Sequence, residues 1–361
     1  MRPLHELTPG RFETAPILKA LNQASRNLAE LKGVAASIPN QSILINTLTL
    51  QEARDSSAIE NIATTQGDLY REEEPADTTG TAIKEVLRYR QALRTGFDRV
   101  GDTGLLTLNT IVEIQERLEC NRAGFRQLPG TALRDGAGRV VYEPPQDANE
   151  VQRLMGDLEK FIHDQPPFEA DPLIKMALIH HQFESIHPFY DGNGRTGRII
   201  NVLYLVKEGL LDIPALYLSR HIVQTKLDYY RLLQAVRDND DWEAWVLYML
   251  QAVAATAAQT VATIQAIKPL LQQTKLRIRD NYRCYSQDLI NNLFNHPYAT
   301  AGAQAENPFN AAGEFQTDPL RWQREIFDAP GAPRACAHRD GARSRDSPQR
   351  CRRARRPHRQ W

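Results

Sequence analysis

Apolar residues recur along most of this chain at the spacing of an α-helix, and this periodicity constrains the fold more than any other feature of the sequence. Residues three, four or seven positions apart share one helical face, and the first such set is Ile17, Leu21, Leu28 and Leu31. Pro39 and Asn40 end this first pattern. Later patterns predict helices over about 43–57, 82–95 and 106–118, and over nearly all of 149–283.

One segment, 125–142, departs from the helical pattern. Turn-forming residues at 135–138 separate 128–133 from 139–142, which is typical of a β-hairpin. Pro144 then ends it. The predicted fold class is therefore mainly α with one small β-hairpin.

The size and composition of the chain indicate a globular protein. With 361 residues, 42% of them hydrophobic, it can bury the cores of two or three domains. The longest nearly apolar stretch, Ile199 to Val206, is far shorter than the ~20 residues that cross a bilayer, and the N-terminus lacks the apolar segment of a signal peptide. We expect no membrane span and a cytoplasmic location, in which the four scattered cysteines stay reduced.

Charge is distributed unevenly, although the net charge is zero. Residues 331–361 hold ten Arg and two Asp, a local charge of +8, so the remainder carries −8. An acidic main body does not indicate nucleic-acid binding. The Arg-rich end has too few apolar residues to offset the entropy of ordering it, so we expect 301–361 to be disordered.

The sequence predicts four parts. A helical region spans 1–100 and contains an acidic, solvated loop at 66–80. A core over 101–270 carries the hairpin and the motif described next. Residues 271–300 begin a further small module, and 301–361 form the tail.

The segment from His187 to Arg198 carries the clearest chemical signal, with the sequence His-Pro-Phe-Tyr-Asp-Gly-Asn-Gly-Arg-Thr-Gly-Arg. It lies between two predicted helices. Gly192, Asn193 and Gly194 tolerate positive φ, so successive backbone N–H groups can converge on an anion. The loop then opens onto a helix N-terminus, which favours phosphate.

Four side chains of this segment complete a phosphate-transfer site. Arg195 and Arg198 lie three residues apart and can hold phosphate oxygens bidentately. Asp191 supplies a hard oxygen ligand suited to Mg²⁺. His187 is the side chain there that takes a proton near neutral pH.

Three other interpretations of the same residues compete. Gly192, Gly194 and Gly197 match the letters of a dinucleotide-binding fingerprint, but that fingerprint follows a strand and a helical pattern stands here. A metal site from His181, Glu184 and His187 is possible on one helix, although a core and capping role is favoured. A plain connection between helices accounts poorly for so many charged residues and glycines.

The segment resembles the Fic family signature H-x-F-x-D/E-G-N-G/K-R-x-x-R, and every position is filled from His187 to Arg198. The similarity extends from about Ile17 to Arg283. A second feature is similar to the S/T-x-x-x-E-G/N helix of autoinhibited Fic proteins: the run Ser56 to Asn61, which includes Glu60.

The resemblance implies a protein adenylyltransferase that uses ATP and Mg²⁺. His187 would be the general base for an incoming Ser, Thr or Tyr hydroxyl, and Phe189 would pack inward. Asp191 would hold Mg²⁺. The implied ATP-binding residues are Asp191, Gly192, Asn193, Gly194, Arg195, Thr196, Gly197 and Arg198, with Tyr229 and Tyr230 near the nucleotide.

Regulation and target binding are also implied. Glu60, in its Ser56 to Asn61 helix, would pair with Arg198 and turn ATP into an unproductive pose. The hairpin over 128–142 would act as a flap that holds a target segment. The implied partner is a protein with a Ser, Thr or Tyr hydroxyl, which can be the chain itself, and a homodimer is left open.

Relatives of this architecture usually end in a winged-helix domain, and 271–300 resembles only its beginning, so we expect a truncated module. Nucleic-acid binding is accordingly not expected. The alternatives left open are transfer of UMP, phosphate or phosphocholine, removal of AMP, and a regulator that binds nucleotide or DNA without catalysis.

Overall fold

The computed structural model describes residues 3–38, 40–62, 81–134, 136–281 and 285–295. The predicted loop at 66–80 and the tail at 301–361 lie outside the described residues. The described helices are α1 (Ala15–Ala36), α2 (Gln41–Ile59), α3 (Thr81–Thr103), α4 (Leu108–Glu119), α5 (Ala148–Ile162), α6 (Pro172–Ile186), α7 (Asn193–Lys207), α8 (Leu218–Gln224), α9 (Lys226–Asn239), α10 (Trp242–Asn281) and α11 (Gln287–Asn295). Two 3₁₀ turns, Leu4–Glu6 and Pro9–Phe12, precede them.

The first two helices begin and end where the sequence indicates. The Thr14 hydroxyl caps α1 by accepting the N–H of Ile17. Ile17, Leu28 and Leu31 are buried on one face of this helix, which confirms the predicted apolar stripe. That face packs along α10. The Asn40 side chain then caps α2 by accepting the N–H of Ser42.

The hairpin is present but shorter than predicted. Strand β1 (Leu133–Arg134) pairs antiparallel with β2 (Val140–Tyr142). The prediction of a strand over 128–132 is wrong. The Tyr190 hydroxyl accepts the N–H groups of Gln127 and Leu128, at 2.9 and 3.1 Å, so these residues are tied to the motif segment.

Helices α6 and α7 form the centre of the protein. Both are buried on nearly all sides and pack against each other. This confirms the prediction that the nearly apolar stretch 199–206 forms a buried helix. The segment joining α6 to α7 is therefore fixed at both ends by the core, which is what places the motif.

The fold class is confirmed as mainly α with a small hairpin. The predicted boundary at residue 270 falls within α10, a single helix of 40 residues. The division into domains stays a prediction.

One described helix, α10, is long and apolar enough to cross a bilayer by length and composition. Within its most apolar window, 56% is buried inside the protein. The core helix of a soluble protein meets the same criterion, so this is weak evidence and the expectation of no membrane span stays a prediction.

Candidate active site

Helix α6 ends at Ile186, and His187 adopts the left-handed conformation, with φ 50° and ψ 59°. The N–H of His187 still donates to the carbonyl of Phe183, at 3.0 Å. This is a helix-terminating geometry that non-glycine residues seldom adopt, and such conformations cluster at functional sites.

Phe189 and Asn193 hold the loop in shape. Phe189 is fully buried, with its ring centroid 5.3 Å from that of Phe125 and 6.3 Å from that of Phe183, as predicted. The Asn193 carboxamide accepts the N–H of Phe189 and donates to its carbonyl, each at 2.8 Å. Its side chain therefore fixes the loop rather than facing outward to an anion.

The glycines of the segment have carboxylates as close neighbours. A Cβ on Gly192, whose φ is 80°, would lie 2.6 Å from an oxygen of Glu119. A Cβ on Gly194 would lie 2.7 Å from Oε1 of Glu60. A Cβ on Gly197 would lie 2.8 Å from Oε1 of Glu184. Each glycine thus permits a carboxylate to approach the loop backbone.

Arg198 is buried and bound by the end of α2. Its Nε donates to the Ser56 hydroxyl at 2.8 Å, and its Nη2 donates to the Ser56 carbonyl at 3.0 Å. The same Nη2 lies 2.8 Å from Oε1 of Glu60. Glu60 therefore makes a charge-assisted contact with one of the two arginines predicted to bind phosphate.

Arg195 is also buried and is enclosed by carboxylates. Nη2 lies 2.5 Å from Glu119, Nη1 lies 3.4 Å from Glu85, and Nε lies 3.5 Å from Glu60. The carboxylate of Asp191 is more distant, at 4.0 Å. In this conformation, both motif arginines are thus held by protein carboxylates.

Asn61 completes the end of α2. It has a φ of 62°, a left-handed conformation that Asn and Gly tolerate better than other residues. Its side chain accepts a hydrogen bond from Lys226, at 3.0 Å. The N–H of Ile62 donates to the carbonyl of Ser57. The turn leaves Glu60 beside the arginines.

His187 is neutral at physiological pH. Burial, together with the nearby cations Arg237 and Arg126, lowers its pKa to about 3. The residue as a whole is partly accessible. A neutral imidazole can accept a proton, and bound phosphates would raise its pKa toward the working range of a base.

Two models of the Fic/DOC family match the chain, and they agree with this geometry. The model described as Fic/DOC family N-terminal matches 18–98, and the model described as Fic/DOC family matches 105–205. The chain belongs to the Fic/DOC family. The second match contains the whole segment from His187 to Arg198.

Several relatives that match this Fic protein are named protein adenylyltransferases. "Protein adenylyltransferase fic-1" of Caenorhabditis elegans is 29% identical over 136 residues, which is 36% of this chain and 25% of that protein. "Protein adenylyltransferase Fic" of Nematostella vectensis is 26% identical over 135 residues, 37% of this chain and 30% of that protein. The match thus spans about a quarter to a third of these relatives' own length.

Solved structures share the fold. A Fic family protein from Desulfovibrio desulfuricans G20 superposes with a TM-score of 0.57 at 24% identity, covering 81% of this chain and 86% of that one. Fic-1 from C. elegans superposes with a TM-score of 0.54 at 19% identity, covering 70% and 75%. At these identities, the likeness shows the fold alone.

Arg126 was not predicted from the sequence, yet it hydrogen-bonds directly to the start of the segment from His187 to Arg198. Its side chain is 1% exposed. Nε donates to the His187 carbonyl at 2.9 Å, and Nη2 donates to the carbonyls of Ile186 (3.4 Å) and Pro145. Its backbone N–H donates to the Pro188 carbonyl at 2.8 Å. Arg126 therefore satisfies the C-terminal carbonyls of α6 and carries a charge suited to that helix end.

Arg126→Ala is expected to lower the free energy of unfolding by about 2–4 kcal/mol, because buried carbonyls at 145, 186 and 187 lose their donor. Urea denaturation measures the change. Arg122→Ala is the matched control, since the Arg122 side chain is 90% exposed, and it should cost less than about 0.5 kcal/mol. Equal effects of the two substitutions would contradict the supporting role of Arg126.

Arg237 links the hairpin to the same helix end. Its guanidinium lies 4.0 Å from the ring centroid of Tyr142, its Nε donates to the Ser185 hydroxyl, and its Nη2 donates to the Glu184 carbonyl. The Tyr142 hydroxyl donates to the Ser185 carbonyl at 3.0 Å. Strand β2 is thus fixed to the residues just before His187, which no local pattern could indicate.

The alternative of a metal site on α6 is not supported. His181 hydrogen-bonds the Leu233 carbonyl and packs edge-on against Trp242. Glu184 lies instead beside Gly197, and burial raises its pKa to about 7. Within the described ranges, no group of three His, Cys, Asp or Glu is arranged to hold a metal ion. The favoured core role of His181 agrees with its contacts.

Tyr229 and Tyr230 occupy different environments. Tyr229 is 1% exposed, and its hydroxyl is hydrogen-bonded to His180 at 2.8 Å, so it belongs to the core. Tyr230 is partly buried next to it, with ring centroids 5.1 Å apart. Burial raises the pKa of Tyr230, and Arg198 and Glu60 both influence it. The charge of Arg198 influences both tyrosines, and a nucleotide contact for either stays a prediction.

The remaining motif residues lie at the start of α7 or just before it. Thr196 and Gly197 are buried, and the N–H of Thr196 donates to the Gly192 carbonyl at 2.9 Å. Their part is to build the helix start. Asp191 is about half exposed, and its carboxylate accepts the N–H of Gly192 at 2.8 Å.

A single exposed carboxylate fits a Mg²⁺ ion that is shared with phosphates. Magnesium is commonly held by one or two carboxylates together with substrate phosphate oxygens. Asp191 offers such an oxygen at the edge of the loop, and the described residues supply no larger cluster of ligands. The donor set is therefore compatible with a metal that enters together with a nucleotide.

A second buried carboxyl group anchors α2. Glu52 accepts hydrogen bonds from the Tyr89 hydroxyl at 3.2 Å, and from the N–H and hydroxyl of Ser219. Burial raises its pKa to about 7, although Ser219 and Arg198 oppose the shift. These contacts fix α2 to α3 and α8, two turns before Glu60.

The raised pKa of Glu52 predicts a pH dependence of stability. The folded state prefers the protonated group, so this stabilisation is present below the ordinary pKa of 4.5 and is lost as pH rises toward 7. The unfolding free energy of Glu52→Gln minus that of wild type should therefore increase by roughly 1–3 kcal/mol when the pH is raised from 5 to 8. Urea denaturation at both pH values measures it, with Glu30→Gln, at an exposed site on α1, as control. A difference that is independent of pH would refute the assignment.

Proposed function

We propose that this Fic protein transfers AMP from ATP to a hydroxyl side chain of a target protein. The observation that carries the proposal is the joint position of His187 and the two buried arginines on one loop. His187 ends α6 in a left-handed conformation, and Arg195 and Arg198 begin α7. The names of the relatives support this activity.

The reaction follows from what each group can do. The imidazole of His187 takes the proton of the acceptor hydroxyl as its oxygen attacks the α-phosphorus of ATP. The new bond joins that oxygen to phosphorus, and the bond from the α-phosphorus to the bridging oxygen breaks. Pyrophosphate leaves, and the target keeps AMP as a phosphodiester.

The arginines would stabilise the leaving group. Arg195 lies in the first turn of α7 and Arg198 in the second, close to the helix N-terminus that also favours negative charge. Their guanidiniums would hold the β- and γ-phosphates as pyrophosphate forms. A Mg²⁺ ion held by Asp191 and the phosphates would neutralise further charge.

The position of Glu60 supports autoinhibition. Its carboxylate lies 2.8 Å from Arg198 and 3.5 Å from Arg195, where phosphate oxygens of a productive ATP would bind. A protein carboxylate and a phosphate compete for the same donors. The enzyme in this conformation is therefore inhibited, and release of Glu60 would activate it.

The hairpin supports a target-binding role. Val140 and Val141 on β2 are more than 40% exposed, and β2 is fixed beside the residues that precede His187. An extended target segment could add to this edge through backbone hydrogen bonds. That contact would bring a Ser, Thr or Tyr hydroxyl to the imidazole.

Labelled nucleotides test the proposal. The protein, as wild type and as Glu60→Gly, is incubated with candidate target proteins and with α-labelled ATP, γ-labelled ATP or α-labelled UTP. Label from the α position of ATP alone supports AMP transfer. Label from the γ position indicates a phosphotransferase, and preference for UTP indicates UMP transfer. Absence of any protein label with both variants would refute the proposed activity.

A further inference from the structure

A cavity of about 510 Å³ lies where α2, α3 and α4 meet, apart from the motif loop. Its polar and charged lining includes Asn46 and Thr49 from α2, Arg90, Arg94 and Thr95 from α3, and Arg117 from α4. This volume falls in the range of sites for small molecules.

The lining is strongly basic. Three arginines line one cavity, and its described lining residues include no carboxylate. Arg90 has an interaction partner of its own, so Arg94 and Arg117 carry the argument. Arg94 pairs with Asp98 at 2.9 Å, but both side chains are more than half exposed, so that pair is weak. Arg117 makes no ion pair within the described part of the chain. Like charges held near one another favour the entry of an anion.

The chemistry of the lining selects phosphate. Guanidinium groups bind phosphate oxygens bidentately, and two of them, Arg94 and Arg117, can hold more than one phosphate. The hydroxyl of Thr49 is buried and donates to the Ile45 carbonyl, so its lone pairs remain as acceptors for a ligand hydroxyl. We infer that this cavity binds a small molecule that carries two or more phosphate charges.

The cavity is placed to influence the active site. Its walls are the three helices that bring carboxylates to the motif: Glu60 follows α2, Glu85 is on α3 and Glu119 ends α4. A ligand that bridges these helices stabilises the arrangement in which the three carboxylates hold Arg195. Bound anion therefore favours the Glu60-docked state. This consequence rests on the proposed function, whereas binding at the cavity does not.

Binding of inorganic tripolyphosphate, followed by isothermal titration calorimetry, tests the site. Four full-length proteins are compared: wild type, Arg198→Ala, the double variant Arg94→Ala with Arg117→Ala, and the double variant Arg99→Ala with Arg122→Ala. Arg99 and Arg122 are exposed and lie outside the cavity, so the last protein loses the same charge elsewhere. Of the five substitutions, only Arg198→Ala lies within the proposed catalytic machinery.

We expect the first double variant to bind at least about tenfold more weakly than wild type, because two guanidinium contacts are lost. Arg198→Ala and the Arg99/Arg122 variant should still bind tripolyphosphate at the cavity with wild-type affinity. Equal affinities in the two double variants would overturn the site.

The link to Glu60 is measured without catalysis. Because coupling between two sites is reciprocal, Glu60→Gly should weaken tripolyphosphate binding at the cavity severalfold. Unchanged affinity in Glu60→Gly would overturn the link to Glu60. Loss of AMP transfer in every variant, with cavity binding intact, would count against the proposed activity and not against this site.

Discussion

Glu60→Gly is expected to raise AMP transfer about 10- to 100-fold, because removing one charge-assisted contact of about 1.5–3 kcal/mol frees Arg198 for the γ-phosphate. Glycine is tolerated because Glu60 lies just beyond the last residue of α2. The measurement is the initial rate of label transfer from α-labelled ATP to a target protein.

Two further variants complete this experiment. Glu60→Gln keeps the size of the side chain and removes its charge, so activation of the same order would assign inhibition to the ion pair. Arg198→Ala in the Glu60→Gly background should remove most of the gain, because the freed guanidinium is what binds phosphate. Equal labelling by wild type and Glu60→Gly would exclude Glu60 as an inhibitor.

His187→Ala in the Glu60→Gly background is expected to reduce transfer about 10²- to 10⁴-fold, the usual contribution of a positioned general base. The loss should fall on kcat, with little change in the KM for ATP, because the imidazole acts on the acceptor hydroxyl. Steady-state rates over a range of ATP concentrations separate the two constants.

Folding must be excluded as the cause of the loss. The melting temperature of His187→Ala is compared with that of its parent, and His5→Ala, at an exposed site in the first 3₁₀ turn, is the matched histidine control. A stable His187→Ala protein that retained transfer within about threefold of its parent would eliminate the imidazole as the base.

Local patterns in the sequence account for most of the fold. Three features depend only on residues close together in the sequence, and all three are present in the structure: the apolar stripe of α1, the Asn40 cap of α2 and the buried stretch 199–206. The hairpin was predicted too long because the Tyr190 hydroxyl takes the N–H groups of Gln127 and Leu128. Tyr190 is 62 residues from Leu128 in the sequence, so the residues around Leu128 could not indicate this contact.

The site also combines residues that are neighbours in the sequence with residues that only the fold brings together. The segment from His187 to Arg198 could be predicted because its chemistry is contiguous in sequence. Glu85, Glu119 and Arg126 could not be predicted, because each reaches the loop through tertiary packing, from another helix or from the segment between α4 and β1. The hydroxyl of Tyr229 is hydrogen-bonded to the buried His180, which no local pattern indicates, and its nucleotide contact stays a prediction.

The place of Glu60 at the terminus of α2 determines how it can be released. The body of the helix is held by Glu52, while its last turn and the residues after it are held by backbone bonds, such as those from Asn61 to Ala58 and from Ile62 to Ser57, and by the contacts of Ser56 and Glu60 with Arg198. Helix ends fray far more easily than helix interiors. Under the proposed function, a binding partner therefore needs only to unravel one turn to switch the enzyme on, and the scaffold around ATP stays intact.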